Sequence, residues 1–199
     1  MVNEYIWYMT MQVPSAVTEQ EWKWPLQRYE QLVRDNIFTE EDKIELIGGK
    51  LYTQMPKGDL HAAIVRILTR YFLLRHPEYE VSAEQPIRLP GNDSRPEPDL
   101  AICNFRADAY ATQAPEPADI RLVIEVADSS LTRDRTLKAI DYAAAAIQEY
   151  WIIDVKNQQV EIYTDPAGNR YRHVHTYPLD STFTSPFNGE TVVHELFPK

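Results

Sequence analysis

Cysteine is almost missing from this chain of 199 residues, with Cys103 the only one, so neither an internal disulfide nor a thiolate zinc site can form within it. Its place in the apolar run Leu100-Ala101-Ile102-Cys103 predicts a small buried strand residue. Glycine is scarce too, at 6 residues, and none forms a phosphate-cradling loop of the Walker or Rossmann type ahead of a helix. A Gly-x-Ser-x-Gly elbow is also missing, so nucleotide-hydrolase and serine-hydrolase readings are poor. No apolar run approaches the roughly 18 residues that span a bilayer, which argues against a membrane partner. The stretch from Met1 to Tyr8 has an early acid, Glu4, and lacks a basic n-region or a long apolar h-region. It therefore does not read as a signal peptide, and a cytoplasmic location is expected. Positive charge is in deficit, with 20 basic against 30 acidic residues and a net charge of −10, which argues against coating nucleic acid by bulk electrostatics. Any DNA contact must be local or made by a homodimer. An acidic balance still suits a metal enzyme, because clustered carboxylates attract a divalent cation and the cation then attracts phosphate.

What the chain does contain is enough apolar sequence, 44% of residues, for one sizeable core. The expected organisation is an N-terminal arm over residues 1–24 and one domain over 25–199. Pro25 opens a helical pattern through Leu26, Tyr29, Leu32 and Val33 that ends near Asn36, a residue suited to a left-handed C-cap. Ile44-Glu45-Leu46-Ile47 and Lys50-Leu51-Tyr52-Thr53 flank Gly48-Gly49, which predicts a β-hairpin. From Asp59 to Arg75, Leu60, Ile64, Ile67, Leu68, Tyr71 and Phe72 recur at helical spacing, with Arg66 and Arg70 on another face. Extended segments are expected at about 79–89, 99–104 and 120–127, the last two apolar enough to be covered on both faces. Thr132 is a candidate cap for a helix reaching about Ile147, with Leu137, Ile140, Ala144 and Ile147 as its inward stripe. Trp151-Ile152-Ile153 reads as a further buried strand, and the remainder as an antiparallel meander with turns at Asp165-Pro166 and Ala167-Gly168-Asn169. There is no internal repeat or low-complexity segment. These elements predict an α/β fold, a mixed central sheet flanked by helices with antiparallel hairpin additions.

The chemistry gathers at the ends of two of these strands. Asp99 follows Pro98 at the start of one, and Glu125 closes the run Leu122-Val123-Ile124 in the next. If the strands are neighbours, one carboxylate from each meets at the same sheet edge and can hold a hard divalent cation through oxygen. Such an ion polarises a phosphodiester and activates water, which leaves a nearby cationic side chain to orient that water and offset developing charge. On the following helix Lys138 lies three or four residues from Asp134, Arg135, Asp141 and Tyr142, forming a polar stripe that can reach the strand end. An acid ending an apolar run is costly to bury unless paired or metal-bound, so Glu125 is the strongest single candidate.

The segment from Trp24 to Tyr163 resembles the Uma-type family of restriction endonucleases, a branch of the PD-(D/E)xK superfamily. The resemblance rests on Ile44-Glu45-Leu46-Ile47-Gly48-Gly49-Lys50-Leu51, His61, Pro98-Asp99-Leu100, Val123-Ile124-Glu125-Val126 with Ser129-Ser130, Arg133-Asp134-Arg135, Lys138, Tyr142 and Glu149-Tyr150-Trp151. It implies a restriction-endonuclease-like fold, with Asp99 and Glu125 as metal ligands and Lys138 as a catalytic lysine that has migrated to the helix. The usual motif has that lysine two positions after the acid, where this chain has Ala127. Glu45 enters as a further acid, and His61 as a further site residue. Ala143 to Gln148 replace the small residue plus glycine usual before Glu149, which affects the helix end more than the site.

The function so implied is Mg²⁺-dependent hydrolysis of DNA phosphodiester bonds, with Mn²⁺ as a substitute ion. Two rivals stand beside it: a catalytically degenerate binding or interaction module on the same fold, and a metal enzyme acting on a small phosphate ester. Read in isolation, Glu45 is a surface acid on a hairpin strand, and Arg66 and Arg70 are an exposed helix face. His173 and His175 share one strand face, which is more simply a solvated face than a metal pair.

Overall fold

The computed structural model describes residues 21–199. The arm expected over residues 1–24 falls outside them except at its end, where the Trp24 amide donates to the Gly49 carbonyl at 2.8 Å. Helix α1 (Leu26–Arg34) starts after Pro25, and Asn36 has a φ of +54° just beyond its end, the left-handed closure expected there. Strands β1 (Ile44–Ile47) and β2 (Lys50–Thr53) pair antiparallel around Gly48 and Gly49, whose φ values of +58° and +77° are those of a tight hairpin turn.

Helix α2 (Asp59–Arg75) precedes the central sheet. Among the described residues that sheet has six strands in the order β3-β4-β5-β6-β7-β8: β3 (Tyr79–Ala83), β4 (Leu100–Asn104), β5 (Ile120–Ala127), β6 (Glu149–Asp154), β7 (Gln159–Ala167) and β8 (Arg170–Pro178). Strands β5 and β6 run parallel and every other pair runs antiparallel, so the sheet is mixed. A parallel pair needs a crossover, and here it is helical: α3 (Leu131–Arg133), a π-helical turn (Asp134–Lys138) and α4 (Ala139–Ala144).

Alternation along the strands separates two cores. Leu100, Ile102, Leu122, Ile124, Val126 and Trp151 face α2 through Ile64, Val65, Leu68 and Phe72. Ala101, Cys103, Val123, Tyr150 and Ile152 face the crossover through Ala139, Tyr142, Ala143 and Ile147. Each fully buried large apolar side chain contributes about 1.5–3 kcal/mol, which makes this double-faced sheet the main source of stability. Cys103 is buried and unpaired, and burial pushes its thiol up to about 12, as befits a packing residue. A small hairpin of β9 (Thr182–Ser185) and β10 (Gly189–Val192) closes the α2 side. It is tied to the sheet by buried Glu149, which accepts from the Ser185 hydroxyl and the Phe187 amide. None of the described helices is long and apolar enough to cross a membrane.

Several sequence expectations need correction. The stripe of the second helix keeps Ile64, Leu68 and Phe72 inward but starts at buried His61, with Leu60 exposed. In the crossover, Leu137 and Ile140 point outward, whereas Asp134, Lys138, Asp141 and Tyr142 are buried. The polar stripe thus faces inward, the reverse of the amphipathic expectation, because buried Glu125 on the sheet offers Lys138 and Tyr142 their partners. Ser130 rather than Thr132 precedes the first turn, and its hydroxyl donates to Asp134 Oδ2 at 2.5 Å. The segment 79–89 is a strand only to Ala83, where Glu84 takes a φ of +54°. Asp165-Pro166 is no turn. It lies within β7, past the last residue that pairs with β6, where a proline removes no hydrogen bond from the inner side of the sheet.

Candidate active site

The register of β4 against β5 determines where the acids lie. Leu100 pairs with Ile124, so Asp99, just before β4, and Glu125, near the end of β5, occupy the same sheet edge. The Val126 amide donates to Asp99 Oδ2 at 2.7 Å, which locks that carboxylate to the neighbouring strand. His61, two residues into α2, places Nε2 3.1 Å from the same oxygen. Lys57, from the loop before α2, approaches Asp99 Oδ1 at 3.0 Å.

Glu125 is 3% exposed, and its Oε1 accepts from Lys138 Nζ at 2.8 Å and from the Tyr142 hydroxyl at 2.7 Å. The π-helical turn makes this possible, since its wide winding presents Asp134 and Lys138 together on the buried side. Glu45 is buried in β1 rather than solvated, with Lys138 Nζ at 3.6 Å, Arg133 at 3.5 Å and the Glu97 amide donating at 3.3 Å. Glu45, His61, Asp99, Glu125 and Lys138 all line one cleft, together with Lys57, Arg133 and the Asp128-Ser129-Ser130 loop. Arg66, Arg70, His173 and His175 lie elsewhere on the exposed surface.

Burial raises the Glu125 pKa, and the neighbouring Asp99 and Asp134 carboxylates add to the rise against the opposing Lys138 ammonium. For Lys138, burial works to lower the pKa, but Glu125, Glu45 and Asp134 around it keep it well above the ordinary lysine value. Asp99 is held below the carboxylate range: burial works against this, and the His61 hydrogen bond and Lys57 charge outweigh it. Asp134 is pushed up to about 6, chiefly by burial. The cleft therefore gathers buried acids, Glu45, Asp99 and Glu125, whose charged forms a divalent cation would stabilise.

The donor set fits such an ion. Ligand atoms of His61, Glu84 and Asp99 lie within 4.8 Å of one another; the two carboxylates suit a hard ion such as Mg²⁺ or Mn²⁺, and the imidazole nitrogen suits a transition-metal ion better than Mg²⁺. His61 Nδ1 is buried and has no hydrogen-bond partner. Glu125 stands in the same cleft outside that compact group, with Oε1 committed to Lys138 and Tyr142. Sequence reasoning missed Lys57 and Glu84, because neither belongs to a periodic pattern and their approach to Asp99 spans long stretches of chain.

A profile of the Uma2 family, described as "Putative restriction endonuclease", matches residues 26–191. The chain belongs to the Uma2 family. No curated protein sequence matches it. Among solved structures, this Uma2 chain is similar to a crystal structure described as "a putative nuclease belonging to DUF820" from Anabaena variabilis. The TM-score is 0.68 at 19% identity, covering 87% of this chain and 97% of the other. That likeness establishes a shared fold, the mixed sheet with flanking helices of a restriction-endonuclease-like protein, and the Uma2 cleft lies at one edge of that sheet.

Proposed function

We propose that the protein is a divalent-metal-dependent endonuclease that hydrolyses DNA phosphodiester bonds, with residues 25–199 as its catalytic domain and residues 1–24 as an arm. The observation that carries this reading is the meeting of Asp99 and Glu125 at one sheet edge, with the Lys138 ammonium 2.8 Å from Glu125. Asp99 and Glu125 are the metal-holding acids, and His61 and Glu84, whose ligand atoms lie within 4.8 Å of those of Asp99, add donors on the Asp99 side. Mg²⁺ is the expected ion and Mn²⁺ its substitute; when bound, it supplies charge neutralisation at the phosphate and a more acidic water.

The chain's own residues do the rest. Lys138, anchored by Glu45 and Glu125, holds a fixed positive charge where the attacking water and the developing phosphate charge need it. Tyr142 donates to Glu125 and keeps that carboxylate oriented. Arg133 at the cleft supplies a local phosphate contact within an otherwise acidic protein, and further contacts come from a homodimer partner or from the cleft rim.

The test is cleavage of supercoiled plasmid by purified protein with Mg²⁺ or Mn²⁺, beside Glu125→Gln. Metal-dependent nicking that disappears in the variant supports the reading. A wild-type protein that leaves plasmid intact with either ion, and binds neither, is a degenerate module instead. Turnover of a model phosphate ester without plasmid cleavage points to a small-ester enzyme.

A further inference from the structure

Lys57 has no part in the function proposed above, yet it sits where the chemistry should be. Its Nζ lies 2.8 Å from Glu84 Oε1 and 3.0 Å from Asp99 Oδ1. These two carboxylates and His61 are the groups whose ligand atoms cluster within 4.8 Å. An ammonium thus already bridges the oxygens that suit a divalent ion. A dication and an ammonium held by the same two carboxylates repel each other strongly, so they compete for that position.

The two sides of this bridge differ in freedom. Asp99 is buried and locked by the Val126 amide and His61. Lys57 belongs to a loop, keeps 34% of its side-chain surface exposed, and has a path to solvent at the cleft mouth. Glu84 is held over the site by a left-handed backbone at φ +54°, a conformation disfavoured for a residue with a side chain. Lys57 and Glu84, with 34% and 48% of their side-chain surface exposed, are the movable members around a fixed Asp99.

We infer that Lys57 is the built-in counter-ion of this site: its ammonium joins Glu84 to Asp99, and a divalent cation enters only by displacing it. The inference rests on the metal-dependent reading of the site and adds a competitor within the chain that sets how much free metal the protein requires. A lysine serving only as a structural salt bridge would stabilise the fold without opposing metal.

The experiment is calorimetric titration of Mn²⁺ into the full chain and into Lys57→Met, Lys57→Gln and Lys57→Arg at pH 7.5, with thermal melts to verify folding. The two neutral variants should bind Mn²⁺ about tenfold more tightly or better, and Lys57→Arg should bind like the wild type. Folded Met and Gln variants with unchanged or weaker affinity overturn the inference. If they do so while plasmid cleavage persists, the nuclease reading survives alone. Tightened Mn²⁺ binding without cleavage by any of the proteins leaves the counter-ion and removes the nuclease. Failure of every protein to take up Mn²⁺ removes both.

Discussion

Replacing Lys138 by methionine keeps most of its buried volume and removes the ammonium that pairs with Glu125 at 2.8 Å and with Glu45 at 3.6 Å. Glu45 retains Arg133 and the Glu97 amide, but Glu125 retains only Tyr142. Glu125 must then keep its proton when folded, because an unpaired charge at that depth is prohibitive. Its folded pKa, already raised in the wild type, rises further. The sign follows from proton binding: below the unfolded value of about 4.3 both states are protonated and there is no penalty. Above it the folded state holds a proton that the unfolded state has lost, so stability falls by about 1.4 kcal/mol per pH unit. The wild-type Glu125 pKa, already pushed up to about 8, carries the same term up to that pH, so the linkage adds little at pH 7.5 and about 1.4 kcal/mol for each pH unit above 8. For a protein of this size each kcal/mol of that deficit corresponds to a Tm lower by about 2–4 °C. Melts from pH 6 to 10 should show a deficit that opens near pH 8 and widens above it, and Glu125→Gln in the same background should flatten it. Plasmid cleavage should fall by about two orders of magnitude or more. A variant with the wild-type melting curve at every pH and the wild-type cleavage rate would refute both the pairing and the role.

Asp141 is buried, its Oδ2 has no partner, and burial pushes it up to about 6. A raised carboxylate contributes stability below its unfolded pKa and loses it as pH rises towards the folded value, so the protein should weaken between about pH 4 and 6. Asp141→Asn should gain about 1–2 kcal/mol at pH 7.5 and nothing near pH 4, and equal Tm shifts at both pH values would contradict this. At the first hairpin, Gly49 has a φ of +77° and a Cβ there would lie 2.8 Å from Lys23 Cβ, whereas Gly48 at φ +58° faces open space. Gly48→Ala should cost about 1 kcal/mol and Gly49→Ala about 2–3 kcal/mol in urea unfolding, and the reverse order would refute the packing argument.

Local pattern was informative wherever one period or one turn decides. The apolar runs Leu100–Ile102 and Leu122–Ile124 lie in strands β4 and β5, and Gly48-Gly49 closes a hairpin. Asp99, Glu125, Glu45, His61 and Lys138 stood out as candidates, and the fold gathers them around one cleft. The crossover defeated the same method. Its Leu137 and Ile140 obey helical amphipathicity, yet the buried side carries Asp134, Lys138 and Tyr142. A hydrophobic period identifies the inward face only when the facing surface is apolar, and here that surface includes Glu125.

What the sequence alone determined was the type of the long apolar strands, the first hairpin and the second helix, and most of the acids and cations of the cleft, because periodicity, turn chemistry and an acid closing an apolar run act over a few neighbouring residues. Tertiary structure decided which charges meet. Asp99 reaches Glu125 through the β4–β5 register, Glu45 reaches Arg133 across 88 residues, and Lys57 reaches Asp99 across 42. The inward turn of Lys138 and the Lys57 bridge exist only once the sheet has assembled, since burial then makes an unpaired carboxylate costlier than exposing two apolar helix residues.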